Sequence, residues 1–201
     1  DEKTQSCGPN GDNIFALSMG LGAEHQAQLI NTVRKEIAEG TKGHVNVGFI
    51  GAKYFFEALA RHGMNDLAYE AMNKTDFPSY GHWIAQGATT TWEQWDGGNS
   101  RNHPMMGSGL TWFSRNLAGV QYDESQPGYR HVIIRPQVPE QMEFVSYSKQ
   151  TPYGKVSSEL RRKNGQTTVT VTIPVSCTAT LVLPIGTKEL GQGTYKFIYA
   201  E

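Results

Sequence analysis

The sequence predicts a helical first part followed by a small antiparallel β-sandwich, and three features of the chain carry that reading. Up to about residue 120, apolar residues recur at three- and four-residue spacing in a stretch rich in Ala, Leu, Met and Gly. Beyond it come short Val/Ile/Thr/Tyr runs split by Pro and Gly, with turn signals at roughly eight- to twelve-residue intervals. Within those runs, Thr168-Val169-Thr170-Val171-Thr172-Ile173 alternates strictly, which places Val169, Val171 and Ile173 on one face. The predicted division is residues 1–122 and 123–201.

Taken in order, Asn10-Gly11-Asp12-Asn13 offers cap residues before a short helix, Ile14–Met19, that Gly20 or Gly22 ends. A second, amphipathic helix is expected from Ala23 to Glu39. Its apolar stripe is Ala27, Ile30, Val33, Ile37 and Ala38, and Gly40 closes it. The loop 43–51 enters a helix running to about Arg61. Phe49, Ile50, Tyr54, Phe55, Ala58 and Leu59 make that helix apolar on much of its circumference, so it must be packed on several sides. Asn65-Asp66 caps a short helix, Leu67–Asn73, and Phe77 to Trp83 reads as an aromatic loop. Ser108 caps a final helix with Leu110, Trp112, Phe113 and Leu117 as its apolar set, closed by Gly119. About five helices in pairs, with the unusual chemistry near 44–51, 77–83 and 92–107, fit part of an α/α toroid or a plain bundle.

In the second part, strands are expected at Val132–Ile134, Glu143–Tyr147, Lys155–Leu160, Thr168–Ile173, Ala179–Leu183 and Tyr195–Tyr199. Asn164-Gly165 is a strong two-residue hairpin signal between two of them.

Composition excludes several function classes. The chain has 201 residues, and 18 basic against 19 acidic residues leave a formal charge of −1 with no basic run, so nucleic-acid binding has no electrostatic support. Mean hydropathy is −0.48, and no apolar run approaches the ~18 residues of a membrane span. The opening Asp1–Ser6 lacks the basic and apolar regions of a signal peptide. Cys7 and Cys177 stand near opposite ends without a CxxC or a His-rich neighbour, which reads as two unpaired thiols and gives no zinc cluster.

Thr89 to His103 is the least generic stretch. Trp92 and Trp95 flank Glu93, Asp96 follows, and His103 comes ten residues after the glutamate, with Gly97-Gly98 between to break regular structure. It is expected to be a loop, and scaffold-held loops concentrate binding and catalytic groups. A tryptophan face suits the C–H face of a sugar ring, and a carboxylate between two such faces is partly desolvated, which suits acid/base work. The plain alternative is two core tryptophans beside a surface Glu and Asp. His25, His62 and His131 are expected to be surface or packing residues. His44 and His82 lie on loops that would face the site, and Arg101 has either a substrate oxygen or a carboxylate as partner.

Several segments together resemble a known family. Gly48-Phe49-Ile50-Gly51, Thr89 to Trp95, Asn102-His103, Gly107-Ser108, Pro127-Gly128-Tyr129 and Ile133-Ile134-Arg135-Pro136 resemble, in order and spacing, the C-terminal part of bacterial α-L-rhamnosidases, glycoside hydrolases of family 78. The turn at Pro152-Tyr153-Gly154, the strand end Val171 to Pro174 and the closing Leu190 to Tyr195 fit as well, so the resemblance covers essentially the whole chain. It implies the C-terminal portion of an (α/α)6 toroid followed by a small antiparallel β-sandwich. It also implies an inverting hydrolase of terminal α-L-rhamnose, working with two carboxyls and without a cofactor. On this resemblance Glu93 is the general base, Trp92 and Trp95 wall the sugar site, and His103, at the Asn102-His103 position, hydrogen-bonds a rhamnose hydroxyl; Trp83 and Asn102 are expected to bind substrate as well. Asp96 takes no role from it. The family's general acid lies on an upstream segment that nothing before Asp12 resembles, so the chain reads as a fragment with half of a catalytic pair. Its expected partners are a rhamnose-containing carbohydrate and the missing N-terminal part of the same polypeptide, not nucleic acid or membrane. Such a hydrolase would be periplasmic or secreted. Pro104-Met105-Met106 departs from the aromatic that relatives often carry after Asn-His. A non-catalytic carbohydrate-binding module is the alternative from another class, with Glu93 as the discriminating residue.

Overall fold

A computed structural model of the chain describes residues 11–200. They form two compact units that divide between Trp112 and Phe113. Cys7, Asn10 and the opening Asp1–Ser6 lie outside the described residues.

The helical unit contains α1 (Gly11–Met19), α2 (Gln26–Lys35), α3 (Phe49–Arg61), α4 (Asn65–Asn73), α5 (Tyr80–Ala85) and α6 (Ser108–Trp112). As its apolar circumference requires, α3 packs against α1, α4 and α6 and buries Ala52, Phe55, Phe56, Ala58, Leu59 and Ala60. Phe56 meets Trp112 at 5.5 Å between ring centroids, and the Trp112 Nε1–H donates to Asn65 Oδ1 at 2.9 Å. Asn65, the first residue of α4, therefore ties that helix to α6.

Three helical expectations change. The second helix enters as a 3₁₀ turn at Ala23–His25 and ends as a π turn at Glu36–Gly40. Its buried stripe is Leu29, Val33 and Ile37, at successive i+4 steps, while Ala27 and Ala38 are exposed. The segment read as an aromatic loop contains α5, because Ser79 Oγ accepts the His82 N–H at 2.9 Å and starts a helix there. The final helix is split into α6 and a π turn, Phe113–Leu117, and leaves Leu110 exposed.

The second unit is a sandwich of two four-stranded sheets. One runs β1-β2-β6-β7, from β1 (Val120–Tyr122), β2 (His131–Ile134), β6 (Thr178–Leu183) and β7 (Gly186–Leu190). The other runs β3-β4-β5-β8, from β3 (Phe144–Thr151), β4 (Gly154–Lys163), β5 (Gln166–Ile173) and β8 (Gly193–Ala200). β1 and β7 are additional to the strands expected from sequence; β1 has only three residues, and β7 buries only Leu190. Pairing is antiparallel except between β2 and β6, which run parallel with Ile134 opposite Leu181. The inward residues of both sheets, Val132, Ile134, Ala179 and Leu181 against Val156, Leu160, Val169, Val171 and Ile173, make one buried core. Cys177 is a buried free thiol whose pKa is pushed up by that burial.

Candidate active site

Residues 91–103 form an irregular hairpin tied at its base. The Thr91 hydroxyl donates to His103 O at 2.8 Å and the His103 N–H donates to Thr91 O at 2.8 Å, while the Thr90 hydroxyl donates to Arg101 O. One step further in, the Glu93 N–H donates to Ser100 O at 2.8 Å. Gly97 (φ +84°) and Asn99 (φ +56°) turn the tip through left-handed backbone, and Asp96 Oδ1 accepts the Gly98 N–H at 3.0 Å, a loop-capping role.

Two loops that lie apart in sequence meet this hairpin. Trp95 Nε1–H donates to Val47 O at 3.1 Å, and the Phe49 ring packs on the His103 imidazole at 4.9 Å between centroids. Buried His44 places Nδ1 3.0 Å from Pro78 O and Nε2 3.3 Å from Asp76, which joins the first loop to the second. The Tyr80 hydroxyl donates to Met106 O at 2.6 Å, and burial pushes its pKa up, well past the usual phenol range. His44 is thus a tie between loops. His82 meets the Phe77 ring edge-on at 5.5 Å.

Three of the tryptophans make one cluster around Trp83. Trp83 lies on Trp95 at 4.4 Å and 27°, with Trp92 at 5.7 Å from Trp83. The Trp83 Nε1–H donates to Trp95 O at 2.9 Å. Arg101 lies over the Trp92 ring, with its guanidinium carbon 4.5 Å from the centroid, and its Nε–H donates to Gly97 O at 3.3 Å. Trp83 and Trp92 are 2% and 6% exposed, so little of either ring is open to a ligand; Trp95 is half-buried.

Glu93 meets polar groups. Its Oε1 accepts from Asn99 Nδ2 at 3.3 Å, its Oε2 accepts from the Ser100 N–H at 3.3 Å, and Oε2 lies 3.7 Å from His103 Nδ1. The carboxylate and the imidazole are both about one-fifth exposed, at 23% and 22%, open to a ligand yet held in place. His103 Nε2 is buried without a hydrogen-bond partner among the described residues, and Asn102 is exposed beside it. Asn99 and Ser100 were not singled out from sequence; an Asn following two glycines was the available signal, since Asn tolerates left-handed backbone.

No group of three or more His, Cys, Asp or Glu side chains able to hold a metal occurs among the described residues, and no helix there is long and apolar enough to cross a membrane. An anchored carboxylate beside an imidazole, at the open rim of an aromatic platform, can accept a proton from a molecule bound there.

Comparison with known proteins agrees with both units. Residues 3–117 match the bacterial alpha-L-rhamnosidase 6 hairpin glycosidase domain, and residues 119–197 match the bacterial alpha-L-rhamnosidase C-terminal domain. An alpha-L-rhamnosidase of Formosa agariphila is 32% identical over 178 residues, covering 85% of this chain and 19% of that protein. One of Streptomyces avermitilis is 30% identical over 200 residues, covering 94% of this chain and 19% of that protein. The chain thus spans about a fifth of the length of these relatives. Among solved structures, the alpha-L-rhamnosidase from Dictyoglumus thermophilum superposes with a TM-score of 0.88 at 25% identity, over 96% of this chain and 25% of that one. The Streptomyces avermitilis enzyme, solved in complex with L-rhamnose, gives 0.85 at 26% identity over 94% and 21%. This chain belongs to the bacterial α-L-rhamnosidases, with the C-terminal portion of their six-hairpin (α/α)6 toroid and the small β-sandwich domain that follows it.

Proposed function

We propose that this chain is part of an inverting α-L-rhamnosidase that removes terminal α-L-rhamnosyl residues from glycosides or polysaccharides, with Glu93 as its general base. Residues 1–122 would then belong to the catalytic toroid and 123–201 to the accessory sandwich. The observation that carries the reading is the Glu93 carboxylate, held by two N–H donors and left partly exposed 3.7 Å from His103.

In this mechanism Glu93 takes a proton from a water as the water oxygen bonds to the anomeric carbon. The glycosidic C–O bond breaks on the opposite face, and the leaving oxygen receives a proton from a second carboxyl, which lies on a part of the polypeptide preceding these residues. Inversion sets the two carboxyls about 6.5–9.5 Å apart, so that the water fits. His103, through the exposed part of its imidazole, and Asn102 hydrogen-bond sugar hydroxyls. The half-buried Trp95 offers its exposed part to the C–H face of the ring, with Trp92 and Trp83 stacked behind to fix it.

The test is hydrolysis of p-nitrophenyl α-L-rhamnoside by the full-length protein, wild type against Glu93→Gln. General-base loss should lower kcat by about 10²–10⁴ with rhamnose binding retained. An unchanged rate would remove Glu93 from the mechanism. The isolated 201-residue chain, lacking the acid, should release no nitrophenol, and detectable release would place the acid within it.

A further inference from the structure

We infer that Asn99 is a positioning residue for Glu93, supplying from one side chain and one backbone turn both contacts that fix the carboxylate; the inference rests on Glu93 being the general base. Asn99 Nδ2 donates to Oε1 and the N–H of the next residue, Ser100, donates to Oε2, both at 3.3 Å. With one donor on each oxygen, the carboxylate cannot rotate about its last bond without losing both. Ser100 also accepts the Glu93 N–H at 2.8 Å, so Glu93 is gripped at its backbone and at its tip by the same two-residue segment.

The segment reaches the carboxylate through left-handed backbone at Asn99, φ +56°. Few side chains tolerate that conformation: glycine does but has no donor, and Asp does but would set a second negative charge against Glu93. Asn combines the turn with a neutral donor long enough to reach Oε1. The adjoining Asp96 is bound to the Gly98 N–H, which keeps that carboxylate on its own turn. Hydrogen bonds that are long in a free site tighten when substrate fills it, so the clamp acts when the water is being deprotonated. Its loss should lower kcat and leave KM nearly unchanged.

Asn99→Gly and Asn99→Asp in the full-length enzyme separate turn from donor, because both keep the left-handed backbone. With p-nitrophenyl α-L-rhamnoside, Asn99→Gly should lower kcat about tenfold or more with KM within about twofold, and Asn99→Asp should lower it further. The deciding arm is a double-mutant cycle with Glu93→Ala. The residual rate of Glu93→Ala is raised with azide, whose nitrogen bonds to the anomeric carbon as the bond to nitrophenolate breaks. In that background Asn99→Gly should change the rate by less than about twofold, since no carboxylate remains to position. A kcat for Asn99→Gly equal to wild type would overturn the inference. So would an undiminished fall in the Glu93→Ala background, which would make Asn99 a general loop support. If Glu93→Ala keeps the wild-type rate without azide, the base assignment itself fails and the clamp has nothing to serve.

Discussion

Gly97 shows how closely the hairpin is fitted to the aromatic stack. A Cβ built there would lie 2.9 Å from Trp92 Cζ3 and 3.3 Å from Arg101 Nη2, at φ +84°. The indole has little room to move, because Trp83 packs against it and Arg101 lies over its ring. Gly97→Ala therefore combines left-handed strain of about 1–2 kcal/mol with displacement of a buried ring. Gly98→Ala is the control: its Cβ would meet Gln94 Oε1 at 2.6 Å, the far end of a flexible side chain, and φ there is unstrained. Urea unfolding followed by tryptophan fluorescence should show a lower midpoint for Gly97→Ala and almost none of that loss for Gly98→Ala. Equal midpoints for the two variants would refute the fit described. At this scale the residue types of Glu93, Asn102 and His103 could be read in the sequence, because carboxylate, amide and imidazole between glycines and aromatics announce polar chemistry. The stacking of Trp83, Trp92 and Trp95 on one another was not legible. Their contacts depend on hydrogen bonds to carbonyls at Trp95 and Val47, and local spacing does not record which backbone oxygen an indole will find.

Tyr80 ties two elements together, α5 by its backbone and the 3₁₀ turn Pro104–Gly107 by its hydroxyl, donated to Met106 O at 2.6 Å. Its ring is closed in by Trp83, Trp95 and Phe56 at 5.6, 5.4 and 6.1 Å. Burial holds the folded phenol neutral far above the ordinary value, against a smaller opposing effect of the hydrogen bond with Ser108. The unfolded phenol ionises near its usual value of about 10. Its contribution to stability is therefore complete below that pH and is lost as pH rises from there toward the folded value. Tyr80→Phe should cost about 1 kcal/mol at neutral pH through the lost hydrogen bond, yet its stability should fall less steeply than wild type above about pH 10. Parallel alkaline declines in the two proteins would show that the phenol is open to water. Among the elements, α3 and β5 could be read from sequence because each satisfies its period over many residues. By contrast, α5 depends on a single capping hydroxyl in an aromatic run, and β7 carries Gly, Thr, Lys and Glu with only Leu190 buried. Where one residue decides an element, periodicity has nothing to average.

Each unit of the whole molecule carries its own apolar interior. All four tryptophans, at positions 83, 92, 95 and 112, lie in the helical unit. The sandwich core runs from Val120 to Leu190 and is closed by its own residues on both sheets. Its long-range order is set within the unit as well: β2 pairs with β6 across the sequence, and β5 with β8, so the sheets require no strand from elsewhere. At roughly ninety residues the unit falls within the range of independently folding domains. Residues 113–201 produced alone should therefore show β-type far-ultraviolet dichroism and one cooperative thermal transition. Leu181→Ala, at a fully buried position of the core, should lower its stability by about 2–5 kcal/mol. The same substitution in the 201-residue chain should leave the tryptophan-detected transition in place, because that signal belongs to the helical unit. A broad, non-cooperative melt of residues 113–201 would mean that the sandwich needs the helices to fold. A tryptophan transition that shifts with Leu181→Ala would mean that the two units unfold as one.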